Sequence, residues 1–297
     1  EPASFTAGEP WLTKAGVKLW TDGSPWVGNI AISFPYLDTE TTRTAGIDPA
    51  TAGGAHSMNY SRAQLDEILD HAAPKGWQMA FHANGDLALD LALDAYEDAL
   101  NRHGLLGSDH RWRLEHCGAG TRAHFDRAAR LGVHVSLAPF QYYYWGDLLD
   151  GAMFDPSHGA RWQAFADAVD SGACVSLHND GSVSPPTPVT NIATTVTRRT
   201  RNGGVHRPEQ AISLEAAWRA QTIDAARTLR RVPFEKPGME LDIAANGESP
   251  AETGIKCQRP VEHAMGLGIG LGARFAITNA SAQKPIVGLV AVGVLAL

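Results

Sequence analysis

Four polar side chains stand at the ends of short apolar runs, where a buried strand would end and a loop would begin. They are Lys18, His82, His116 and Asp180, and His178 precedes Asp180 by two residues. The carboxyl ends of parallel strands share one rim, where α/β enzymes place their chemistry. Two imidazoles and a carboxylate there suit a zinc-type ion with an open position for water, and Asp180 could also take up a proton. The alternative is that each histidine is an ordinary hydrogen-bonded structural group.

Lys18 is an unusual residue for such a position. A lysine within a strand is more often a surface residue, and an ammonium group buried beside cations is unfavourable. If CO2 carboxylates its amine, the side chain becomes an anionic group that can bridge two metal ions. The residues alone leave both interpretations open.

Five strands alternate with helices along the chain. Apolar runs predict strands at residues 15–22, 78–82, 111–117, 134–139 and 173–180, and helical spacing predicts helices at 61–75, 87–103, 121–131, 161–171 and from Ser213. Such alternation indicates a parallel sheet with right-handed crossovers. The lengths fit βα units of a barrel, although a complete barrel has eight of them. Residues 24–60 show no clear period, and we expect a functional loop such as a lid or substrate loop.

Composition narrows the classes of partner. The 297 residues suffice for one large α/β domain or two ordinary ones. The net charge is −7 and no basic block is present, which argues against nucleic acid or an anionic membrane as partner. The three cysteines form no CxxC motif, which favours a reducing compartment, the cytoplasm. The chain begins with Glu1 and Pro2, so we expect a piece of a longer protein; a removed signal peptide is the alternative.

Five short motifs occur in a characteristic order. They are Gly16–Ser24 (GVKLWTDGS), Phe81–Asp86 (FHANGD), Arg113–His116 (RLEH), Trp145–Asp147 (WGD) and Ser176–Asp180 (SLHND). Together they resemble the amidohydrolase superfamily, in particular amidohydrolase family 3, the YtcJ-like group that includes N-substituted formamide deformylases. The resemblance covers roughly residues 15–242.

The resemblance implies an α/β fold: a (β/α)8 TIM-type metal-dependent hydrolase barrel with a small β-sandwich attached. Residues 1–230 would be a partial barrel, about strands 4–8, and residues 231–297 a remnant of the sandwich with an unassigned tail. Lys18 would be the carboxylated bridge between metals, His82 and His116 metal ligands, and Asp180 both ligand and proton shuttle. One or two divalent ions, Zn2+ in the first place, would activate water to hydrolyse a non-peptide C–N bond in a small amide or formamide.

This sequence departs from the family pattern in two places. The His-x-His of the first barrel strand is absent, which leaves one metal site with Lys18, His82 and His116 and a second site short of ligands. His178 is an accessory ligand, or else a substrate-side or structural group. After Lys236–Asp242, which resembles the return to the sandwich, the likeness ends.

Two alternatives to an active enzyme follow from the missing strands. The chain is an inactive fragment that binds one metal ion or none, or another chain completes the barrel, for example in a homo-oligomer.

Other residues near the motifs have more ordinary interpretations. Tyr143 and Trp145 line the substrate pocket or pack the rim. Strand alternation predicts that Glu115 points away from the face of His116. Asp22 and Asp86 are predicted to be turn or helix-cap groups.

Overall fold

The computed structural model describes residues 16–229, 276–277 and 286–287. One five-stranded parallel sheet organises the first of these ranges, in the order β1-β2-β3-β4-β5. The strands are β1 (Val17–Trp20), β2 (Met79–Ala83), β3 (Arg113–His116), β4 (His134–Leu137) and β5 (Val175–Leu177). The five predicted strands are thus present in chain order, most of them shorter than expected.

Ten α-helices connect or flank the strands of the described residues. They are α1 (Glu40–Thr44), α2 (Arg62–Ala72), α3 (Asp86–Arg102), α4 (Arg122–Leu131), α5 (Pro139–Leu149), α6 (Pro156–Gly159), α7 (Phe165–Asp170), α8 (Pro188–Thr197), α9 (Leu214–Gln221) and α10 (Ile223–Thr228). Ser61 caps α2 in a capping box with Gln64, and Ser213 caps α9, as their sequences predict. The helix predicted at 161–171 begins only at Phe165.

The register of the strands gives the sheet two different faces. One row across the sheet is wholly apolar: Leu19, Phe81, Leu114, Val135 and Val175. This row lies in the main core, which the helices cover. The next row is mostly polar: Trp20, His82, Glu115, Ser136 and Ser176. The alternation of strand side chains therefore separates a packing face from a polar face.

Residues 24–60 are more ordered than the prediction of a long loop implied. They contain α1 and short 3-10 turns. They also contribute to a second core of Ile30, Ile32, Tyr36, Ile47, Leu149, Met153, Phe154 and Trp162. Because the backbone of this segment is irregular, hydrophobic periodicity could not predict this packing. Whether the segment acts as a lid or substrate loop stays a prediction.

The chain divides into two compact units, Glu1–Arg231 with Val294–Leu297, and Val232–Gly293. Within the second unit, Ala276–Ile277 and Ile286–Val287 pair as antiparallel strands β6 and β7. Apart from β6 and β7, the sandwich remnant and tail expected at 231–297, with the motif at 236–242, lie outside the described residues. Among the helices that the structure describes, none has the length and apolar character needed to cross a bilayer.

Candidate active site

Three histidines form a row at the carboxyl ends of β2, β3 and β5. The rings of His82 and His116 have centroids 4.4 Å apart, and those of His116 and His178 are 4.8 Å apart. His178 Nε2 lies 3.1 Å from His116 Nδ1, and Ser136 Oγ lies 2.9 Å from His178 Nδ1. All three imidazoles are buried. The strand ends thus bring together His82, His116 and His178, which are far apart in sequence.

Burial keeps this row uncharged. It lowers the pKa of His82 and of His178 to about 4, and the pKa of His116 falls well below its ordinary value of 6.5. The positive charge of Lys18 lowers all three pKa values further. At neutral pH each ring is therefore neutral and has one unprotonated nitrogen, which in one of the two rings His116 and His178 accepts the hydrogen bond between them.

The hydrogen bonds of His82 show which of its nitrogens is free. His82 Nε2 lies 2.8 Å from the carbonyl oxygen of Gly23, and because a carbonyl only accepts, Nε2 carries the proton. Nδ1 then holds the lone pair. That atom is buried without a hydrogen-bond partner, a property that among the described side chains it shares only with Ser24 Oγ. An orphaned imidazole nitrogen in a polar row is a ready metal ligand.

Lys18 belongs to an ion-paired triad on the same face. Its Nζ lies 2.6 Å from Glu115 Oε2, and Arg113 Nε donates to Glu115 Oε1 at 2.8 Å. Burial raises the pKa of Glu115, but the charges of Arg113 and Lys18 outweigh burial and hold it at about 2. Lys18 Nζ also lies 5.3 Å from the centre of the Trp20 ring.

The predicted orientation of Glu115 was wrong. Alternation places neighbouring side chains on opposite faces only where the backbone stays extended. His116 has φ 73, in the left-handed region, and this turn brings its ring toward His82 although Glu115 already occupies the polar face. The signal for this contact in the sequence is Lys18 itself, since an ammonium group within a strand needs an anionic partner.

Asp180 follows β5 with a left-handed backbone, φ 50. Its side chain is half-buried, and burial raises the pKa of the carboxyl group, with the charge of Lys18 opposing and that of Glu115 adding to the shift. Lys18 therefore acts electrostatically on the three histidines and on Asp180 alike.

Tyr143 and Trp145 lie on α5, the helix that follows β4. Trp145 stacks on Trp26 with centroids 4.0 Å apart, and Tyr143 contacts Tyr144 edge to face. Both side chains are partly buried, and Trp145 packs against the second core. Their predicted contact with substrate stays a prediction.

Asp22 and Asp86 anchor the segment 24–60 to the site. The Asp22 carboxylate is inaccessible to solvent and accepts hydrogen bonds from the backbone N–H groups of Ala31, Asn84 and Gly85. Burial raises the pKa of Asp22 to about 7, although the three N–H donors act to lower this pKa. Asp86, the first residue of α3, accepts from the backbone N–H of Ser33 at 2.9 Å. Asp22 lies in a bend, in line with a turn group, but Asp86 does not cap α3, so the predicted helix cap was wrong for that residue.

The chemistry of these donors fits a divalent ion. No group of three or more His, Cys, Asp or Glu side chains in the described parts of the chain is arranged as a ready metal site. Even so, His82 Nδ1 has an unused lone pair, and the neighbouring imidazoles are neutral. The charge of Lys18 acts on the pKa of Asp180 as it does on the pKa values of the histidines. These residues carry the donor atoms for an ion, and their joint binding of one stays a prediction.

Comparison with known proteins identifies the family. The sequence pattern of the Amidohydrolase family matches residues 2–231. The N-substituted formamide deformylase of Arthrobacter pascens is 28% identical over 187 residues, which cover 63% of this chain and 34% of that protein. YtcJ of Bacillus subtilis (strain 168), whose name assigns it to the amidohydrolases, is 23% identical over 224 residues, covering 73% of this chain and 38% of that protein.

Solved structures show a similar fold. An uncharacterised metal-dependent hydrolase from Pyrococcus horikoshii OT3 is 27% identical with a TM-score of 0.58, and one from Pyrococcus furiosus is 26% identical with a TM-score of 0.57. Each match covers 73% of this chain and 40% of the other. The chain thus spans less than half the length of these relatives. With its parallel α/β sheet and the family pattern over most of its length, the chain belongs to the amidohydrolase family.

Proposed function

We propose that this chain carries part of the active site of a metal-dependent hydrolase that cleaves non-peptide C–N bonds in small amides. The observation that carries the proposal is the buried, unpaired Nδ1 of His82 within a row of neutral imidazoles. N-substituted formamides are the leading substrate class, because one relative is named a deformylase of such compounds.

The five strands would correspond to about strands 4–8 of a (β/α)8 barrel. An open parallel sheet with its polar residues at the carboxyl ends supports this assignment. So does the length of the chain, which spans 40% of the Pyrococcus horikoshii hydrolase. Residues 231–297 would then belong to the sandwich domain.

His82, His116, Asp180 and a carboxylated Lys18 would hold the ion, which we propose to be Zn2+, with one or two ions bound. When bound, such an ion polarises a carbonyl group and lowers the pKa of a water molecule. Carboxylation would remove the positive charge of Lys18 and break its ion pair. Glu115 would then keep Arg113, whose Nε lies 2.8 Å from Oε1, as its counter-ion.

The protein's own groups would position and move the proton. Because burial raises its pKa, the carboxyl group of Asp180 gives up a proton less readily than an exposed aspartate, which suits a group that accepts a proton from water and passes it to the leaving amine. His178 holds His116 through the contact of 3.1 Å between Nε2 and Nδ1. Ser136, bonded to the other nitrogen of His178, fixes the orientation of that ring.

Zinc stoichiometry and hydrolysis would test this proposal together. The purified chain would be assayed for bound Zn2+ and for formate release from a panel of N-substituted formamides, with acetamides in parallel. His82→Gln and His116→Gln should each lower bound zinc. His134→Gln is the matched control, because His134 is equally buried but lies at the amino end of β4. Zinc content unchanged in the first two variants, or lowered equally in all three, would contradict the site.

A further inference from the structure

Three buried amide side chains form a continuous hydrogen-bonded chain beside the histidine row. Asn84, Gln141 and Gln163 are only 1%, 3% and 0% exposed. Gln141 Nε2 donates to Asn84 Oδ1 at 3.1 Å, and Gln163 Nε2 donates to Gln141 Oε1 at 3.1 Å. We call these three residues the amide relay. At one end, Asn84 contacts the backbone carbonyl of Gly23, which binds His82. At the other end, Gln163 contacts the backbone carbonyl of His116.

One end of the amide relay acts on His82. Asn84 Nδ2 donates to the carbonyl oxygen of Gly23 at 2.9 Å, and the same oxygen accepts the proton on His82 Nε2 at 2.8 Å. Asn84 Nδ2 itself lies 3.2 Å from His82 Nε2. Asn84 therefore helps to hold the carbonyl that keeps the proton on Nε2 and leaves Nδ1 free.

The other end acts on His116. Gln163 Nε2 donates to the carbonyl oxygen of His116 at 2.8 Å, and Gln163 Oε1 accepts from the backbone N–H of Ala138 at 3.0 Å. Both His116 (φ 73) and Gln163 (φ 58) have left-handed backbones, which are strained for these residue types. The hydrogen bond stabilises the turn that brings the His116 ring to the polar face.

The direction of each amide in the relay is fixed by groups that cannot reverse. The carbonyls of Gly23 and His116 only accept, and the N–H of Ala138 only donates. The indole N–H of Trp162 donates to Gln141 Oε1 at 3.0 Å, which orients the central amide in the same way. Rotating any one amide would therefore break bonds at both of its neighbours.

We propose that the amide relay is a positioning device that fixes His82 Nδ1 and the His116 ring relative to each other for a divalent cation. The cation itself rests on the proposed function; the effect of the relay on the His82 tautomer does not. The partners that orient a ligating imidazole typically change metal affinity 10–100-fold when removed, by rough order of magnitude. Gln141 is the informative residue, because it contacts neither imidazole and joins the two ends.

The test compares Gln141→Met with Gln78→Met. Gln78 is also a buried glutamine, whose Nε2 donates to the carbonyls of Arg111 and Thr228, but it precedes the amino end of β2. Each variant of this 297-residue chain would be measured for thermal unfolding, for Zn2+ affinity by chelator competition, and for the 15N shifts of the His82 ring without metal. If Gln141→Met does not fold, Gln141→Asn takes its place, because it keeps the amide group and shortens the side chain by one methylene.

Both substitutions should lower thermal stability, because each removes a buried amide from its partners. Only the change at Gln141 should weaken Zn2+ binding, by about tenfold, and convert the single Nε2–H tautomer of His82 into a mixture. Unchanged His82 shifts in the Gln141 variant, or equal changes in both variants, would overturn the relay. If the unsubstituted chain binds no Zn2+, the proposed function fails, while the His82 shifts still decide the relay.

Discussion

His134 shows what burial, with nearby positive charges, does to the pKa of a histidine outside the candidate site. Its Nδ1 lies 3.0 Å from Thr228 Oγ1, and burial lowers its pKa from 6.5 to about 3. Below pH 6.5 the unfolded chain therefore binds a proton that the folded protein does not. The contribution of His134 to the free energy of unfolding is therefore fully present above pH 6.5 and is lost progressively as the pH falls toward 3.

Replacing this group should flatten the pH dependence of stability. For His134→Gln we expect the free energy of unfolding to fall less steeply with acidification, by about 1.4 kcal/mol per pH unit below the unfolded-state pKa. Urea unfolding of the parent and the variant at a series of pH values measures this difference. Parallel curves would show that His134 is protonated in the folded state, contrary to its burial.

Sequence could identify the histidines of the site but not the residues that orient them. His82 and His116 stand at the ends of apolar runs, and the sheet brings such ends together. Gln141 and Gln163 carry no such signal, because their partners Asn84 and His116 lie 57 and 47 residues away. Glu115 was misplaced because the alternation rule assumes an extended backbone through His116, which is left-handed.

Among the elements, α8 ends at a buried residue, Arg198, that ties it to several other segments. This residue follows the last turn of α8, is inaccessible to solvent, and has φ 51. Its guanidinium donates to the carbonyls of Ala160, Trp162, Gln163 and His206. It also stacks over Tyr142 with its carbon 3.7 Å from the ring centre. The His206 carbonyl also accepts from Tyr142 Oη, so the other three carbonyls depend most on the guanidinium, and no shorter or apolar side chain can replace it.

Arg198→Met should therefore lower the free energy of unfolding by about 3 kcal/mol or more, because it leaves buried carbonyls without donors. The exposed neighbour Arg199 offers a matched control, and Arg199→Met should change stability by about 0.5 kcal/mol or less. Denaturant unfolding of both variants gives the comparison. Similar values for the two would mean that the carbonyls find water or other donors when the guanidinium is removed.

The helices divide into those that periodicity predicts and those that it does not. For α2 and α9, a capping serine and one apolar face suffice, since each packs one side against the core. Helix α5 was not predicted, because its sequence PFQYYYWGDLL is apolar almost all round and shows no stripe. It packs against several elements at once, so its helical conformation depends on tertiary contacts.

At the level of the whole sheet, the inner and outer strands should differ in stability. Strands β2, β3 and β4 have neighbours on both sides within the described residues, whereas β1 pairs only with β2. Val17 and Thr21 bond to β2 through their N–H groups, at Gln78 and His82. Alternation then directs the N–H of Lys18 away from β2, toward the open edge.

Amide hydrogen exchange followed by NMR would measure this difference. We expect the amides of Phe81, Leu114 and Val135 to exchange at least about a hundredfold more slowly than that of Lys18, because exposing them requires opening the core. If the open edge pairs with a second copy of the chain, Lys18 exchange should slow as protein concentration rises, together with an increase in the mass in solution. Strong protection of Lys18 at the lowest concentration, in a protein of monomer mass, would mean that a segment of the same chain covers this edge. The sheet would then be completed from within the chain, and the proposal that these strands form an incomplete barrel would have to be abandoned.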